Sequence, residues 1–323
     1  MTVLVPLGLA VLGLVVVIVF SERLVKATVG VARTAGLSTF LIAVIFLGFD
    51  PENLAVGAVG AQQGAAGLAL GTVLGSAMVA IALAVGVAAV IAPMRFAAVP
   101  RPILGLTVAV VVGFAALAAD GRLSRVDGAV LLAAYPVTVV ALIWLGRRGL
   151  DVQPSGEVAK TLTKQPGRTR PVVAVLVLLV CLAGIVVGGE LLVYAAQQLI
   201  GGLGLSQAAI GMSVLALAIS AEELGRTVPA ACAGRLEIAV GNLVGSVLAF
   251  FCFNAGIIAL IAPLELDPVT QRFYLPVVVG TVVLVCALLL TRRLTRTAGV
   301  LLVLVHLGFV VGGYLLSGAT PPG

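Results

Sequence analysis

Apolar runs of about twenty residues recur along the chain, separated by short segments that carry most of its arginines and lysines. A transmembrane α-helix needs roughly 20 apolar residues to cross a hydrocarbon core ~30 Å thick. The pattern predicts ten spans, at 3–20, 37–60, 66–93, 102–119, 127–146, 171–200, 206–232, 236–263, 273–291 and 297–316. The longest polar stretch, RRGLDVQPSGEVAKTLTKQPGRTR (147–170), falls between the fifth and sixth. It divides the chain into a five-span unit (1–146), a basic linker (147–170) and a second five-span unit (171–323). The predicted fold class is an all-α membrane protein.

Composition excludes the soluble alternative. The chain is 61% hydrophobic and 10% charged, with a mean hydropathy of +1.26, whereas globular domains are about half apolar and a quarter charged. No Lys or Arg precedes the first run, VLVPLGLAVLGLVVVIVF, and no clear small-residue cleavage site follows it. It therefore reads as a retained helix rather than a signal peptide. Cys181, Cys232, Cys252 and Cys286 all lie in apolar runs without metal-like spacing and read as free thiols. The single histidine, His306, reads as a packing residue, with a proton relay as the alternative. No cofactor is expected.

Charge gives the orientation. With the N-terminus outside, 15 basic residues fall in inward segments: Arg23, Lys26, Arg33, Arg95, Arg101, Arg147, Arg148, Lys160, Lys164, Arg168, Arg170, Arg235, Arg292, Arg293 and Arg296. Only Arg122, Arg125 and Arg272 fall outside, and Arg226 lies within a span. By the positive-inside rule both termini are expected outside and the 147–170 loop in the cytoplasm, in a multi-pass protein of the plasma membrane. The net charge of +6 then reflects cytoplasmic loops and calls for no nucleic-acid partner.

The two halves also share a sequence pattern. At an offset of 170, GFDPENLAVGAVGAQQGAAGLALGTVLGS (48–76) lies without gaps over AISAEELGRTVPAACAGRLEIAVGNLVGS (218–246). The identical pairs are Glu52/Glu222, Leu54/Leu224, Ala61/Ala231, Gly64/Gly234, Ala69/Ala239, Gly71/Gly241, Gly75/Gly245 and Ser76/Ser246. A unit of five spans cannot be repeated in the same direction, because an odd number of crossings reverses it. An inverted-topology repeat follows, the usual construction of secondary transporters.

Gly71/Gly75 and Gly241/Gly245 are each four apart, so each pair offers a smooth stripe for close approach of another helix. Thr72 and Ser76, like Asn242 and Ser246, share the neighbouring face. Pro51 and the acids before each second helix predict a broken or kinked helix at mid-membrane depth, where unwound backbone can bind ions.

At these residues the chain resembles the sodium/calcium exchanger superfamily of cation antiporters, whose repeats read approximately G-T-S-x-P-E-L-x-x-S, then G-N-x-x-G-S-N-x-x-N. AISAEELGRT followed by GNLVGS matches the second repeat well, and the first repeat matches more loosely. The resemblance implies ten helices in two inverted repeats of five, with a central ion site where the repeats meet. Carried over residue by residue, the family's glutamates fall on Glu223 and Asn53, and the serine before each on Ser220 and Asp50. The serine after each falls on Thr227 and Gly57, the G-N asparagine on Asn242 and Thr72, and the G-S serine on Ser246 and Ser76. The late asparagine or aspartate falls on Ala80 and Phe250, which cannot coordinate.

The implied ion-binding set is Asp50, Asn53, Thr72, Ser76, Ser220, Glu223, Thr227, Asn242 and Ser246, with Glu52, Glu222, Arg226 and Asn254 modulating it. Glu223, Asp50 and Asn53 are the candidate metal ligands. A dehydrated Ca²⁺ takes six to eight oxygens at about 2.3–2.6 Å, and this set is thinner than the family's. Asp50, three residues before Asn53, is placed to restore a charge, and Asn254 an oxygen. Arg226 stands i+4 from Glu222 and i+3 from Glu223, so it reads as a salt bridge or as a tethered cation replacing a transported charge. Glu190 reads as a solvated interface residue, or else as a guide for entering ions, whereas Asp50, Glu52, Glu222 and Glu223 are expected to cluster at mid-membrane depth.

The leading expectation is a secondary cation antiporter working by alternating access, with Ca²⁺, Na⁺ and H⁺ all open as transported ions. Lipid and inorganic cations are the expected partners. The alternative is a transport-inactive relative with a structural or regulatory role, suggested by Ala80 and Phe250. An intramembrane protease is disfavoured, since the chain lacks H-E-x-x-H, G-x-S-x-G and paired G-x-G-D motifs.

Overall fold

The computed structural model describes residues 4–34, 50–95, 99–146, 171–203, 205–234 and 236–318. In chain order these form α1 (Leu4–Thr34), α2 (Pro51–Gln62), α3 (Ala66–Ile91), β1 (Met94–Arg95), α4 (Arg101–Leu117), β2 (Arg122–Leu123) and α5 (Arg125–Gly146). The second half holds α6 (Pro171–Leu203), α7 (Gln207–Ile219), α8 (Ala221–Cys232), α9 (236–261), β3 (Leu264–Glu265), α10 (Thr270–Leu290), β4 (Arg293–Leu294) and α11 (Arg296–Gly318). Among the described residues, seven helices are long and apolar enough to cross a membrane, or eight if α7 and α8 count as one span.

One predicted boundary needs correction, and one expected break is present. The segment expected as the first inward loop is helical: α1 continues to Thr34, carrying Arg23 and Lys26 on its surface. Local pairing supports the extension. Lys26 Nζ reaches Glu22 Oε2 one turn away at 3.2 Å, and the Arg23 guanidinium lies 5.9 Å from the Phe20 ring centre. The helix break expected beside Glu222 and Glu223 falls at Ser220, within the seventh span, where α7 and α8 meet at a 53° bend. The first part of the predicted second span (37–49) and the 147–170 linker lie outside the described residues.

Burial ranks the helices. In α3 and α9, 78% of the apolar window is buried, against 17% in α1, so α3 and α9 form the centre and α1 the periphery. Large exposed apolar side chains such as Leu4, Val137, Leu179, Val283 and Leu315 lie on α1, α5, α6, α10 and α11, as lipid-facing surface requires. His306 is buried on α11, 6.4 Å from the Phe309 ring. All four cysteines are free, with Cys232 exposed.

The helices cross at glycines. A Cβ on Gly13 of α1 would lie 2.8 Å from the Gly188 carbonyl oxygen of α6, and one on Gly128 of α5 would lie 2.8 Å from that of Gly256 on α9. A Cβ on Gly86 of α3 would sit 3.0 Å from the Gly299 carbonyl oxygen of α11. Such crossings bring backbones together where lipid supplies no hydrophobic drive. Along one predicted stripe, a Cβ on Gly241 would meet nothing within 4 Å among the described residues.

Two short antiparallel pairings tie the halves together at helix ends. β1 pairs with β4 through Met94 and Leu294, and β2 pairs with β3 through Leu123 and Leu264. The left-handed turns also recur, with Gly64 (φ 70°) closing α2 onto α3 and Gly234 (φ 69°) following α8. Glycine takes this conformation without a Cβ clash.

Candidate ion-binding site

The site is built from the starts of two short helices and the middles of the two central ones. Asp50 precedes α2 with non-helical backbone (φ −133°, ψ 87°), and its carboxylate accepts from the Asn53 backbone N–H. Pro51 fits the first helical position because its absent N–H would have had no partner there. This cap fixes Asp50, Glu52 and Asn53 within one turn. In the second half the break falls at Ser220 (φ −107°, ψ 16°), and Glu222 and Glu223 occupy the first turn of α8. The positive end of a helix favours carboxylates there.

Across the break the two halves touch. Asn53 Nδ2 donates to Ser220 Oγ at 3.2 Å and to Asp50 Oδ2 at 2.5 Å, while Ser76 Oγ donates to Asn53 Oδ1 at 2.5 Å. On the other side Asn242 Nδ2 donates to Glu223 Oε2 at 2.6 Å, and Ser246 Oγ donates to Glu223 Oε1 at 3.0 Å. Arg226 lies 2.6 Å from Glu222 Oε1 and 3.6 Å from Glu223 Oε1. The salt-bridge reading of Arg226 is thus present in the structure.

All nine expected ion-binding residues are buried, and seven of them join these two hydrogen-bond networks: Asn53 with Asp50, Ser76 and Ser220, and Glu223 with Asn242 and Ser246. Thr72 Oγ1 donates to the Ala69 carbonyl at 2.8 Å, and the same oxygen fills the space beside Gly57. Thr227 is buried one turn after Glu223. Asn254 is fully buried on α9, and both polar atoms of its side chain lack hydrogen-bond partners among the described residues.

One feature sharpens the expected acidic cluster, and a second was not read from the sequence. One carboxylate oxygen from each of Asp50, Glu52 and Glu222 lies within 4.8 Å of the others, close enough to hold a metal ion. At an effective dielectric of about 20, two ionised carboxylates at 4.8 Å repel by roughly 3 kcal/mol, so the cluster attracts cations. The signal was present in the pair Glu52/Glu222, which recurs at the repeat offset. The second feature is wide π-helical turns at Val79–Ala84 and Ala249–Asn254, which contain Ala80, Phe250 and Asn254. Such turns occur frequently at functional sites, and no residue pattern announced them.

The chain is similar to known membrane proteins over nearly its whole length. The chain is 29% identical over 318 residues to the inner membrane protein YrbG of Escherichia coli, covering 97% of each chain. It is 26% identical to the putative antiporter CaxA of Alkalimonas amylolytica, covering 92% of this chain and 95% of that one. The fold is similar to that of the sodium-calcium exchanger NCX_Mj soaked with Na⁺ and Ca²⁺, at TM-score 0.59 and 22% identity, covering 96% of this chain and 99% of that one. The sodium/calcium exchanger protein family model matches residues 5–144 and 173–315, and this chain belongs to that family of membrane proteins.

Proposed function

We propose that the chain is a secondary cation antiporter that works by alternating access, built as ten spans in two inverted repeats of five. The observation that carries this reading is the hydrogen bond from Asn53 to Ser220. It joins the signature segments of the two halves in a buried, polar, acidic chamber. The pairings around it recur with the halves exchanged. Ser76 donates to Asn53 as Ser246 donates to Glu223, and 246 − 76 = 223 − 53 = 170. Gly86 of α3 crosses Gly299, and Gly256 of α9 crosses Gly128, with 256 − 86 = 170 and 299 − 128 = 171. The strand pairings follow suit, since Met94 meets Leu294 while Leu123 meets Leu264. A two-fold exchange of this kind gives a chamber that two mirrored gates can open in turn.

Within the chamber, hydroxyls and amides replace hydration oxygens, and the carboxylates carry the charge that exchanges one cation for another. The charge distribution supports both termini outside and the basic 147–170 loop in the cytoplasm. The relatives' names place Na⁺ and Ca²⁺ first among the cations to try, and H⁺ is the third. The test is flux in proteoliposomes under Na⁺, Ca²⁺ and H⁺ gradients, with K⁺ and Mg²⁺ as comparisons. Counter-gradient-dependent uptake that Glu223→Gln reduces at least tenfold supports antiport. No flux under any pair of gradients sinks it.

A further inference from the structure

We infer that Asp50, Glu52 and Glu222 form a divalent-cation seat separate from the hydrogen-bonded carboxylate of Glu223. The inference deepens the antiport reading and rests on it for the ion's route, though not for the ion's binding.

The argument begins with what is already occupied. Glu223 receives Asn242 on one oxygen and Ser246 on the other, with Arg226 at 3.6 Å. The Asn53 amide is equally engaged, its oxygen by Ser76 and its nitrogen by Asp50 and Ser220. These two residues stand where the family signature has its glutamates, and protein partners already hold both. Of the three remaining carboxylates, Asp50 accepts from Asn53 and Glu222 pairs with Arg226 at 2.6 Å, and Glu52 stands apart. Glu52 is 6% exposed, and its buried Oε2 has no hydrogen-bond partner among the described residues. It stands within the 4.8 Å group formed with Asp50 and Glu222. An acceptor so buried and unsatisfied calls for a donor or a cation.

Size and chemistry agree on the ligand. Two oxygens bound to one Ca²⁺ at about 2.4 Å are at most about 4.8 Å apart, so the group already spans one ion. Carboxylate oxygens are hard ligands that suit Ca²⁺, Mn²⁺ or Mg²⁺ rather than soft metals. Four carboxylates converge here, counting Glu223, and Arg226 is their one cationic partner among the described salt bridges. The Glu222 side chain keeps 33% of its exposure while Asp50 is 1% exposed, which makes Glu222 the entry side and Asp50 the deep side. When Glu222 turns to the ion, Arg226 keeps a partner in Glu223. The arginine thus trades partners and is never left unpaired in a low-dielectric site. In the signature G-T-S-x-P-E these three positions hold serine, proline and proline, so the seat belongs to this chain's own substitutions.

The experiment uses the full chain in detergent with Mn²⁺ alone, read by electron paramagnetic resonance and by thermal melting. One Mn²⁺ per chain is expected. Glu52→Gln is expected to weaken binding at least tenfold and to abolish the Mn²⁺-dependent rise in Tm. Glu52→Asp, which keeps the charge, is expected to retain both, and so separates ligation from misfolding. Glu223→Gln is expected to show the smaller loss of affinity. The seat is refuted if the wild-type chain takes up no Mn²⁺, or if Glu223→Gln loses as much affinity as Glu52→Gln or more. Flux without Mn²⁺ uptake would remove the seat and leave antiport standing, whereas Mn²⁺ uptake without flux would do the reverse.

Discussion

Asn53 Nδ2 reaches Ser220 Oγ at 3.2 Å across 167 residues of sequence. The same nitrogen donates to Asp50, and the amide oxygen accepts from Ser76. One amide therefore connects the cap of α2, the middle of α3 and the break between α7 and α8. A carboxylate, which the family signature has at this position, could accept from Ser76 but could not donate to Asp50. The amide thus replaces a repulsion with a hydrogen bond, in a chamber already rich in acid.

Asn53→Asp reverses that choice. The variant loses the donor to Asp50 and places a further negative charge beside it, at a cost of about 2–3 kcal/mol when no cation is present. A divalent cation would repay this by binding the added carboxylate. Thermal melting of the purified variant should show a Tm below wild type in chelator and a larger Ca²⁺-induced rise. A Tm that Ca²⁺ moves no further than in wild type would show that Asn53 does not face the cation.

Arg226 is the counterpart on α8, pairing with Glu222 at 2.6 Å and lying 3.6 Å from Glu223. Arg226→Gln leaves both acids without their cation, and removal of one partner of a buried pair costs about 3 kcal/mol, the lower figure applying because Glu222 is partly exposed. The double variant Arg226→Gln, Glu222→Gln removes the uncompensated charge and should recover more than half of that loss. Chemical denaturation of the single and double variants measures the coupling, and simple additivity would rule out the ion pair as a stabilising unit.

What the sequence revealed about the fold follows from which forces act locally. Span positions were legible because membrane crossing demands long apolar runs, and α3, α4, α5 and α11 begin and end within about two residues of expectation. The end of α1 was not legible. Charge marked a loop, but the pairing of Lys26 with Glu22 lets the helix continue past it. In the candidate site, the repeat pointed to Asp50, Asn53, Ser76, Glu223, Asn242 and Ser246, and these meet in two linked networks. A cluster of Asp50, Glu52, Glu222 and Glu223 was expected at mid-membrane depth, but the approach of one oxygen each from Asp50, Glu52 and Glu222 to within 4.8 Å was hidden, because it depends on how α2 and α8 face each other and on no spacing within either.

Gly71 and Gly241 are equivalent in sequence, yet they predict opposite outcomes. A Cβ on Gly71 would overlap the main-chain atoms of Gly211, and backbone cannot swing aside as a side chain can. Gly71→Ala should therefore cost roughly 3 kcal/mol, the upper end of overpacking penalties. Gly241→Ala meets nothing within 4 Å among the described residues, and alanine gains up to about 1 kcal/mol over glycine in a helix interior. Its Tm should equal or exceed wild type. Parallel melting curves decide the point, and equal destabilisation by the two variants would contradict the crossing of α3 with α7.

Tyr274, on α10, yields the last prediction. Its ring is fully buried, edge-on to Phe309 with centroids 4.8 Å apart. Its hydroxyl has no hydrogen-bond partner among the described residues and is pressed against Gly313 of α11. A buried hydroxyl without a partner costs about 1–3 kcal/mol relative to water, and phenylalanine keeps the ring while deleting it. Tyr274→Phe should therefore stabilise the chain by about 1 kcal/mol. Gly313→Ala should destabilise it in the wild type, because the new methyl group would occupy the position of the hydroxyl. Deleting the hydroxyl first opens that space, so Gly313→Ala should cost less in the Tyr274→Phe background. Denaturation of the two single variants and the double variant tests this, and a Tyr274→Phe protein less stable than wild type would show that the hydroxyl has a partner after all.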